Sequence, residues 1–406
     1  MTPKINIAII HPLDPFGSKI GGIERHIEGF IKKAPNEFSI TLVGCTEDKK
    51  SRPVGRFSEM SLERRPFFYY PVCWIKDPNR RALLPHTLAH TIGLLRQRLN
   101  YAEMILQFHR IEPSIVSPRK NKRVLFVHGD ISDFYDNLNS SKWAKLPGLY
   151  FAIERHLIKR MTKVFVQNEN GIKFYRKTYP QLSERFVFFP SWVDEAVFYP
   201  YSKDKKMERK SSFLEERRLP SSTQIILFVG RLELQKDPML LMETFKYIHS
   251  KDEKTTLVII GTGFLQDHMV EYTKRNHLED HVIFLGALPQ GDVAGIMRIS
   301  DVFLMTSSFE GMPYAVVEAL ASGLPAVSTD VGSVSKAIVD TVSGRLICSR
   351  APEVIGDAVL SVVKDKAIYT PEKCNSAIHS FTSNKVLNDI YKFYERFAFS
   401  GDSSAS

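Results

Sequence analysis

Residues 307–322 read SSFEGMPYAVVEALAS and set two glutamates, Glu310 and Glu318, on either side of a Gly-Met-Pro turn and a short apolar segment. An ionised carboxylate only accepts hydrogen bonds, and its two oxygens match a vicinal diol. A second charged stretch, FVGRLELQKDP, carries Arg231 and Lys236 just beyond an apolar run closed by Gly230. Arginine presents a planar fork to phosphate oxygens and lysine a compact charge. Taken singly, each of these is an ordinary solvated residue. Together, two acids suited to hydroxyls and two cations suited to phosphate describe a ligand with two sets of hydroxyls and an anionic centre. A nucleotide sugar has that make-up, with a hexose diol, a diphosphate and a ribose diol.

Two further elements add to this set. In SKIGGIERHIEGF, Gly21 and Gly22 open a helical pattern directly after the first strand and its loop, where backbone amides could approach a phosphate. In RVLFVHGD, His128 closes an apolar strand and could hydrogen-bond a sugar hydroxyl or stabilise developing charge. His109 and Arg110, in ILQFHRIEPS, stand at another strand end and are candidates for contact with an acceptor.

The elements that must position these residues alternate between strand and helix patterns throughout, which predicts α/β architecture with parallel sheets. INIAII, ITLVG, MILQF, RVLFVH and KVFVQN read as buried strands in the first half, and QIILFVG, TTLVIIG, HVIFLG, DVFLMTS and LPAVST in the second. IERHIEGFIKKA and LPHTLAHTIGLLRQRL have helical spacing between them. Ligands bind beyond the carboxyl ends of parallel strands, and these runs end in the residues singled out above. Pro313 suits a helix start, so a helix over about 314–322, ended by Gly323, aims its amide end at the Glu310 loop. Side chains of a helix tilt towards its N-terminus, so Glu318 leans to the same place.

At 406 residues the chain exceeds one ordinary core and implies two domains. The division reads as a domain over 1–195, a polar, charge-dense linker and surface helix over 196–222, a second domain over 223–380, a helix over 381–399 and a disordered tail over 400–406. No apolar run approaches the roughly 20 residues of a membrane-spanning helix, and the start reads as a buried strand and not a leader, so a cytoplasmic chain is expected. Cys45, Cys73, Cys348 and Cys374 lie far apart and outside any metal-ligand spacing, and are assigned no role.

The net charge of +10 is unevenly placed: residues 1–195 hold 31 Lys and Arg against 19 Asp and Glu, while the remainder holds 24 against 26. A basic first half suits an anionic partner. Within it, GRFSEMSLERRPFFYYPVCWIKDPNRR mixes arginines with Phe67, Phe68, Tyr69, Tyr70 and Trp74. That composition fits peripheral contact with an anionic membrane, or simply one more strand; both stay open. No nucleic-acid recognition motif accompanies the charge, so no nucleic-acid partner is expected.

With these motifs in place, the chain resembles the family-four retaining glycosyltransferases of the GT-B fold, the glycosyl transferases of group 1. The resemblance rests on GGIERHI, His128, FPSWVDEAVFYP, GRLELQK, GTGF and, above all, EGMPYAVVE with LASGLPAVSTDVGS, and is most specific over 225–335. It implies two Rossmann-like, doubly wound domains facing a central crevice, with the last helix crossing back to the N-terminal domain. It implies that Arg231 and Lys236 bind the donor diphosphate and that Glu318 binds the ribose. Glu310 and the backbone of Gly311, Met312 and Pro313 would meet the transferred sugar. Gly22 would approach the diphosphate, and His128 would line the reaction centre. One departure is visible: where the family often has Pro-Asn-Gly-Val-Asp, this chain has Pro190-Ser191-Trp192-Val193-Asp194.

The expected activity is retaining transfer of a hexosyl group from a UDP- or GDP-linked sugar to a saccharide or lipid-linked acceptor in cell-envelope or exopolysaccharide assembly. No Asp-x-Asp is present, so Arg231 and Lys236 are expected to do a metal's work, with no cofactor and no metal. A sugar-nucleotide epimerase or hydrolase on the same fold is the alternative. A dinucleotide oxidoreductase is disfavoured because GTGFLQ has Gln266 where a third glycine belongs and lies mid-domain.

Overall fold

The computed structural model describes residues 4–18, 21–78, 85–97, 99–118, 120–128 and 147–399. The chain divides into two compact units, Met1–Pro190 with Asn384–Ser406, and Ser191–Ser383. The expected tail at 400–406 and residues 79–81 of the basic aromatic stretch lie outside the described residues.

The N-terminal unit is built on eight strands: β1 (Ile5–Ile10), β2 (Phe38–Thr46), β3 (Ser58–Leu62), β4 (Arg65–Trp74), β5 (Ile105–Phe108), β6 (Arg123–Val127), β7 (Lys163–Val166) and β8 (Phe186–Phe188). Their order is β3-β4-β2-β1-β5-β6-β7-β8, parallel except for β3. The short apolar runs are covered on both faces, as parallel strands require; Ile7, Ala8 and Ile9 are fully buried. The chain leaves β1 towards β2 and β4, then returns to place β5 on the other side of β1. That reversal puts a topological switch point at the carboxyl ends of β1 and β5, where open α/β sheets bind ligands.

The aromatic stretch is a hairpin. Strands β3 and β4 pair through a two-residue turn at Glu63 and Arg64, both left-handed (φ 47° and 71°). Phe67, Tyr69 and Tyr70 are buried, leaving Phe68 and Trp74 exposed, and Phe57, before β3, is exposed as well with its ring against Tyr70. Most of the stretch named as a membrane candidate is therefore spent on packing. The last helix, Ser383–Phe399, belongs to this unit. Its Tyr391 hydroxyl donates to the Phe30 carbonyl (2.6 Å), and Lys122 donates to the Phe397 carbonyl near its C-terminus (2.6 Å), where a cation is favoured.

The C-terminal unit carries six parallel strands, β9 (Gln224–Val229), β10 (Thr255–Ile260), β11 (Val282–Gly286), β12 (Val302–Met305), β13 (Ala326–Thr329) and β14 (Gly344–Ile347), in the order β11-β10-β9-β12-β13-β14. Alternation along the strands builds two cores. Ile226, Phe228, Leu257 and Ile259 pack with helices Pro238–Lys251 and Pro352–Lys364; Ile225, Leu227, Val258 and Ile260 pack with Gln290–Ile299 and Tyr314–Ala321. The switch point lies between β9 and β12.

The boundary differs from the sequence expectation. Residues 191–195 and the presumed linker helix, Lys203–Glu216, are part of the C-terminal unit. Phe213 and Leu214 enter its core, and Lys210 and Lys366 both pair with the buried Asp301, which also accepts from the Ile225 amide (2.8 Å). Burial by itself would raise the Asp301 carboxyl, but the two lysines and that amide hold it below the usual range. Charge density made this helix look like a linker; one buried aspartate anchors it. Cys45, Cys73, Cys348 and Cys374 are all free thiols.

Candidate active site

In the C-terminal unit, strands β9 and β12 are neighbours, so the loops at their carboxyl ends meet. The β9 loop carries Arg231 and Lys236; the β12 loop carries Glu310. Backbone and side-chain hydrogen bonds stitch the two together. The Ser308 amide donates to the Gln235 carbonyl (2.8 Å), Gln235 donates to the Phe309 carbonyl (3.2 Å), and the Thr306 hydroxyl donates to the Lys236 and Asp237 carbonyls (both 3.1 Å). Asp237 takes the left-handed conformation (φ 42°) and caps helix Pro238–Lys251 through the Leu240 amide. Arg350, unremarked in the sequence, clamps both loops: it pairs with Asp237 and donates to the carbonyls of Ser307 (3.0 Å) and Thr306 (3.2 Å).

The half-buried Lys236 ammonium forms an ion pair with the buried Glu310 carboxylate, which also accepts from the Ser307 hydroxyl (2.9 Å). Arg231 is held differently. Its side chain is 62% exposed and pairs with Glu233 (2.8 Å), so its fork remains largely in solvent. Glu318 is buried on helix Tyr314–Ala321, which begins directly after Pro313 and ends before Gly323 (φ 76°). The structure thus brings Lys236 and Glu310 into contact on loops shared with Arg231, and gives Gly311, Met312 and Pro313 a fixed path into the helix.

That path is held from two sides. A Cβ on Gly332 (φ 59°) would lie 2.1 Å from the Glu310 carbonyl oxygen, and the Ser333 amide donates to the Gly311 carbonyl (2.8 Å). On the other side the departure noted in the sequence acquires a purpose. Ser191 donates to the Met312 carbonyl (2.6 Å), and the Trp192 ring meets Tyr314 edge-on at 6.3 Å. The Gly261-Thr-Gly263 element is also explained by close approach: Cβ atoms there would lie 1.9 Å from the Gly230 carbonyl oxygen and 2.4 Å from that of Leu232. These glycines let two strand-end loops touch backbone to backbone, and no dinucleotide fingerprint is needed to account for them.

In the N-terminal unit the switch point gathers histidines. His109 follows β5, His128 follows β6 and His26 stands on helix Gly22–Lys32; their rings lie 5.1–5.3 Å apart. His11, after β1, meets His109 edge-on at 5.9 Å and stands 3.8 Å from Glu24. Burial pushes His26 down to about 3, and burial with neighbouring imidazoles holds His109 and His128 well below the usual range. His26, His109 and His128 are therefore neutral at physiological pH. His128 is half-buried and Arg110 exposed, both able to meet a ligand. His109 is not: it is 2% exposed and both ring nitrogens are engaged, by Gln107 (2.9 Å) and by His128 (2.8 Å). It backs His128 and does not face an acceptor. Gly22 starts its helix as expected, exposed, with Gly21 at the cap. The Glu24 carboxylate folds over that turn, 2.4 Å from where a Gly21 Cβ would stand, so the amide end already faces one anion. His11, His26 and Gln107 went unread in the sequence, because a residue after a strand, one on a helix face and one inside a strand carry no local mark of their meeting.

Residues 210–380 match the family model for glycosyl transferases group 1. Over 92% of this chain and 94% of its own, a UDP-Gal:alpha-D-GlcNAc-diphosphoundecaprenol alpha-1,3-galactosyltransferase from Escherichia coli is 28% identical. Residues 210–380 are thus similar to the glycosyl transferases of group 1, and the chain as a whole has the GT-B fold. Two solved structures share the fold at 14% identity. Sucrose-phosphate synthase from Thermosynechococcus elongatus superposes with a TM-score of 0.77, covering 98% of this chain and all of that one. Anabaena HepE, in complex with UDP and glucose, gives 0.68 over 97% and 99%. The glycosyltransferase uses a nucleotide sugar as donor, and nothing supports the epimerase or hydrolase alternative. Among the described residues no helix is long and apolar enough to cross a membrane.

Proposed function

We propose that this glycosyltransferase moves a hexosyl group, with retention of anomeric configuration, from a UDP-linked sugar to a saccharide or lipid-linked acceptor at the cytoplasmic face of a membrane, in cell-envelope or exopolysaccharide assembly. The observation that carries the reading is the Lys236–Glu310 pair at the β9/β12 switch point. A diphosphate arriving there would compete for Lys236 and release Glu310 to accept from sugar hydroxyls. Arg231, exposed beside it, would turn from Glu233 to the phosphates. Glu318 would hold the ribose, and the amides of Gly311 and Met312 with the fixed turn at Pro313 would receive the sugar. Gly22 would contribute to the diphosphate, His128 to the reaction centre and Arg110 to the acceptor.

The donor C1–oxygen bond breaks as the acceptor oxygen attacks from the same face, and the departing diphosphate oxygen takes the acceptor's proton. The transition state has oxocarbenium character, like that of glycosidases. Arg231 and Lys236 stabilise the charge that develops on the leaving diphosphate, which is where preorganised cations act most strongly. The sequence has no Asp-x-Asp, and this reading needs no metal; activity should survive EDTA. The UDP choice and the lipid-linked acceptor draw on the galactosyltransferase relative, whose own name carries both. Exposed Phe57, Phe68 and Trp74, with the Lys49 ammonium 3.6 Å over the Trp74 ring, are what remains of a membrane-facing surface.

A thermal-shift series with UDP-, GDP- and ADP-sugars tests the donor, the largest shift being expected for a UDP-sugar. Proton NMR of the first-formed product reads the anomer; an inverted product removes the retaining mechanism. Flotation with anionic liposomes at low salt tests the surface, and absence of binding removes it.

A further inference from the structure

Gln107 is a fully buried amide in the middle of β5, an expensive place for one unless every polar atom is used. It is used. The Tyr394 hydroxyl, from the last helix, lies 2.7 Å from the Gln107 carbonyl oxygen. The Gln107 amide nitrogen lies 2.9 Å from His109 Nε2, and His109 Nδ1 lies 2.8 Å from His128 Nε2. The chain of contacts runs from a helix at the C-terminus, through the sheet, to the half-buried imidazole at its edge.

The direction of this chain follows from its first member. Tyr394 is fully buried, and burial holds its phenol well above the usual range, so its proton stays on. Among the described residues Gln107 is its hydrogen-bond partner, so the hydroxyl must donate there or leave a buried donor unmet. Gln107 then accepts through its oxygen and donates through its nitrogen to His109 Nε2. A neutral imidazole carries one proton, so His109 bears it on Nδ1 and donates to His128 Nε2. His128, accepting there, bears its own proton on Nδ1.

We propose that Tyr394, Gln107 and His109 are positioning residues that fix His128 as a neutral Nδ1–H tautomer, so that it donates a hydrogen bond to a substrate oxygen and does not act as a base. This deepens the reading of His128 as a reaction-centre residue and rests on it. The acceptor's proton must then leave by the diphosphate oxygen, since the imidazole nitrogen turned to the sheet is already accepting.

Long-range proton–nitrogen correlation on the full chain with labelled histidine, at pH 7.5 without substrate, reads the tautomer, with His128→Phe to assign the signal. The expected wild-type pattern is pyrrole-type Nδ1 and pyridine-type Nε2 at His128. Tyr394→Phe loses only a hydroxyl, so the fold is kept, but the Gln107 amide is free to turn over. Mixed tautomers at His128 and a turnover lowered about tenfold, with donor KM unchanged, are expected. His109→Asn keeps an N–H where Nδ1–H stood and should retain most turnover, whereas His109→Leu should fall with Tyr394→Phe. A wild-type His128 protonated on Nε2, or Tyr394→Phe with unaltered tautomer and turnover, overturns the proposal. Full activity in His128→Phe would instead overturn the role of His128 itself, while the tautomer measurement would still judge the relay.

Discussion

The two switch points of this molecule handle polarity in opposite ways. Between β9 and β12, full charge is retained and the backbone beneath it is locked: Arg231 stands in solvent, Lys236 pairs with the buried Glu310, and the loops are tied by Arg350, Thr306 and Gly332. Between β1 and β5, the groups nearest His128 carry no charge. Hydrogen-bonded imidazoles, a buried amide and a tyrosine form a neutral network in which only proton position carries information. The difference follows from the tasks proposed for them. A diphosphate needs full positive charge within reach, and at an effective dielectric near 20 one contact at about 4 Å is worth roughly 4 kcal/mol. A sugar oxygen needs a donor of fixed direction, which a neutral, packed ring supplies without repelling a cationic neighbour.

The comparison breaks first at Arg231. Arg231→Ala should lower turnover at least about 100-fold by removing charge stabilisation of the leaving group, and near-normal steady-state rates would place the work elsewhere. Next is the locked backbone. Gly332→Ala puts a Cβ against the Glu310 carbonyl at a left-handed φ and should cut kcat/KM on the order of 10- to 100-fold by shifting the Glu310 loop. An unchanged value would mean that the loop tolerates movement.

Acid should separate the two units. His26 and His90 are buried and their pKa values lie at about 3, against about 6.5 when unfolded. Their depressed values favour the native state above pH 6.5 and cease to do so as pH falls towards 3, because the unfolded chain then binds the extra protons. Going from pH 8 to pH 6 should cost the N-terminal unit about 0.8 kcal/mol per histidine, with His109 and His128 adding in the same direction. Hydrogen exchange at the two pH values reads this unit by unit; equal loss of protection in the C-terminal unit would contradict it. The smallest effect is expected at Ser191→Ala, which removes one bond to the Met312 carbonyl and about 1 kcal/mol of stability, seen as a small fall in thermal midpoint.

Much of this was legible in residue order. All ten strands read from short apolar runs are present, since a strand buried on both faces leaves a continuous apolar signature. The Glu310 and Lys236 loops were legible too, because charge just beyond such a run has no packing role to explain it. The β3–β4 hairpin was read only as one of two possibilities, since aromatic residues serve a core and a membrane surface equally well. Helix Lys203–Glu216 was misassigned because its anchor, Asp301, lies about 90 residues away in sequence.

The amino-acid order by itself determined the alternation of elements, the inventory of charge, and the glycines and prolines that turn the chain at strand ends; these depend on local sterics and periodicity. Only the tertiary structure decided that β9 lies beside β12 and β1 beside β5, that His109 supports His128 and does not face a ligand, and that Tyr394 reaches Gln107. Those outcomes depend on which surfaces meet when both faces of each sheet are covered, and contacts spanning hundreds of residues leave no local trace.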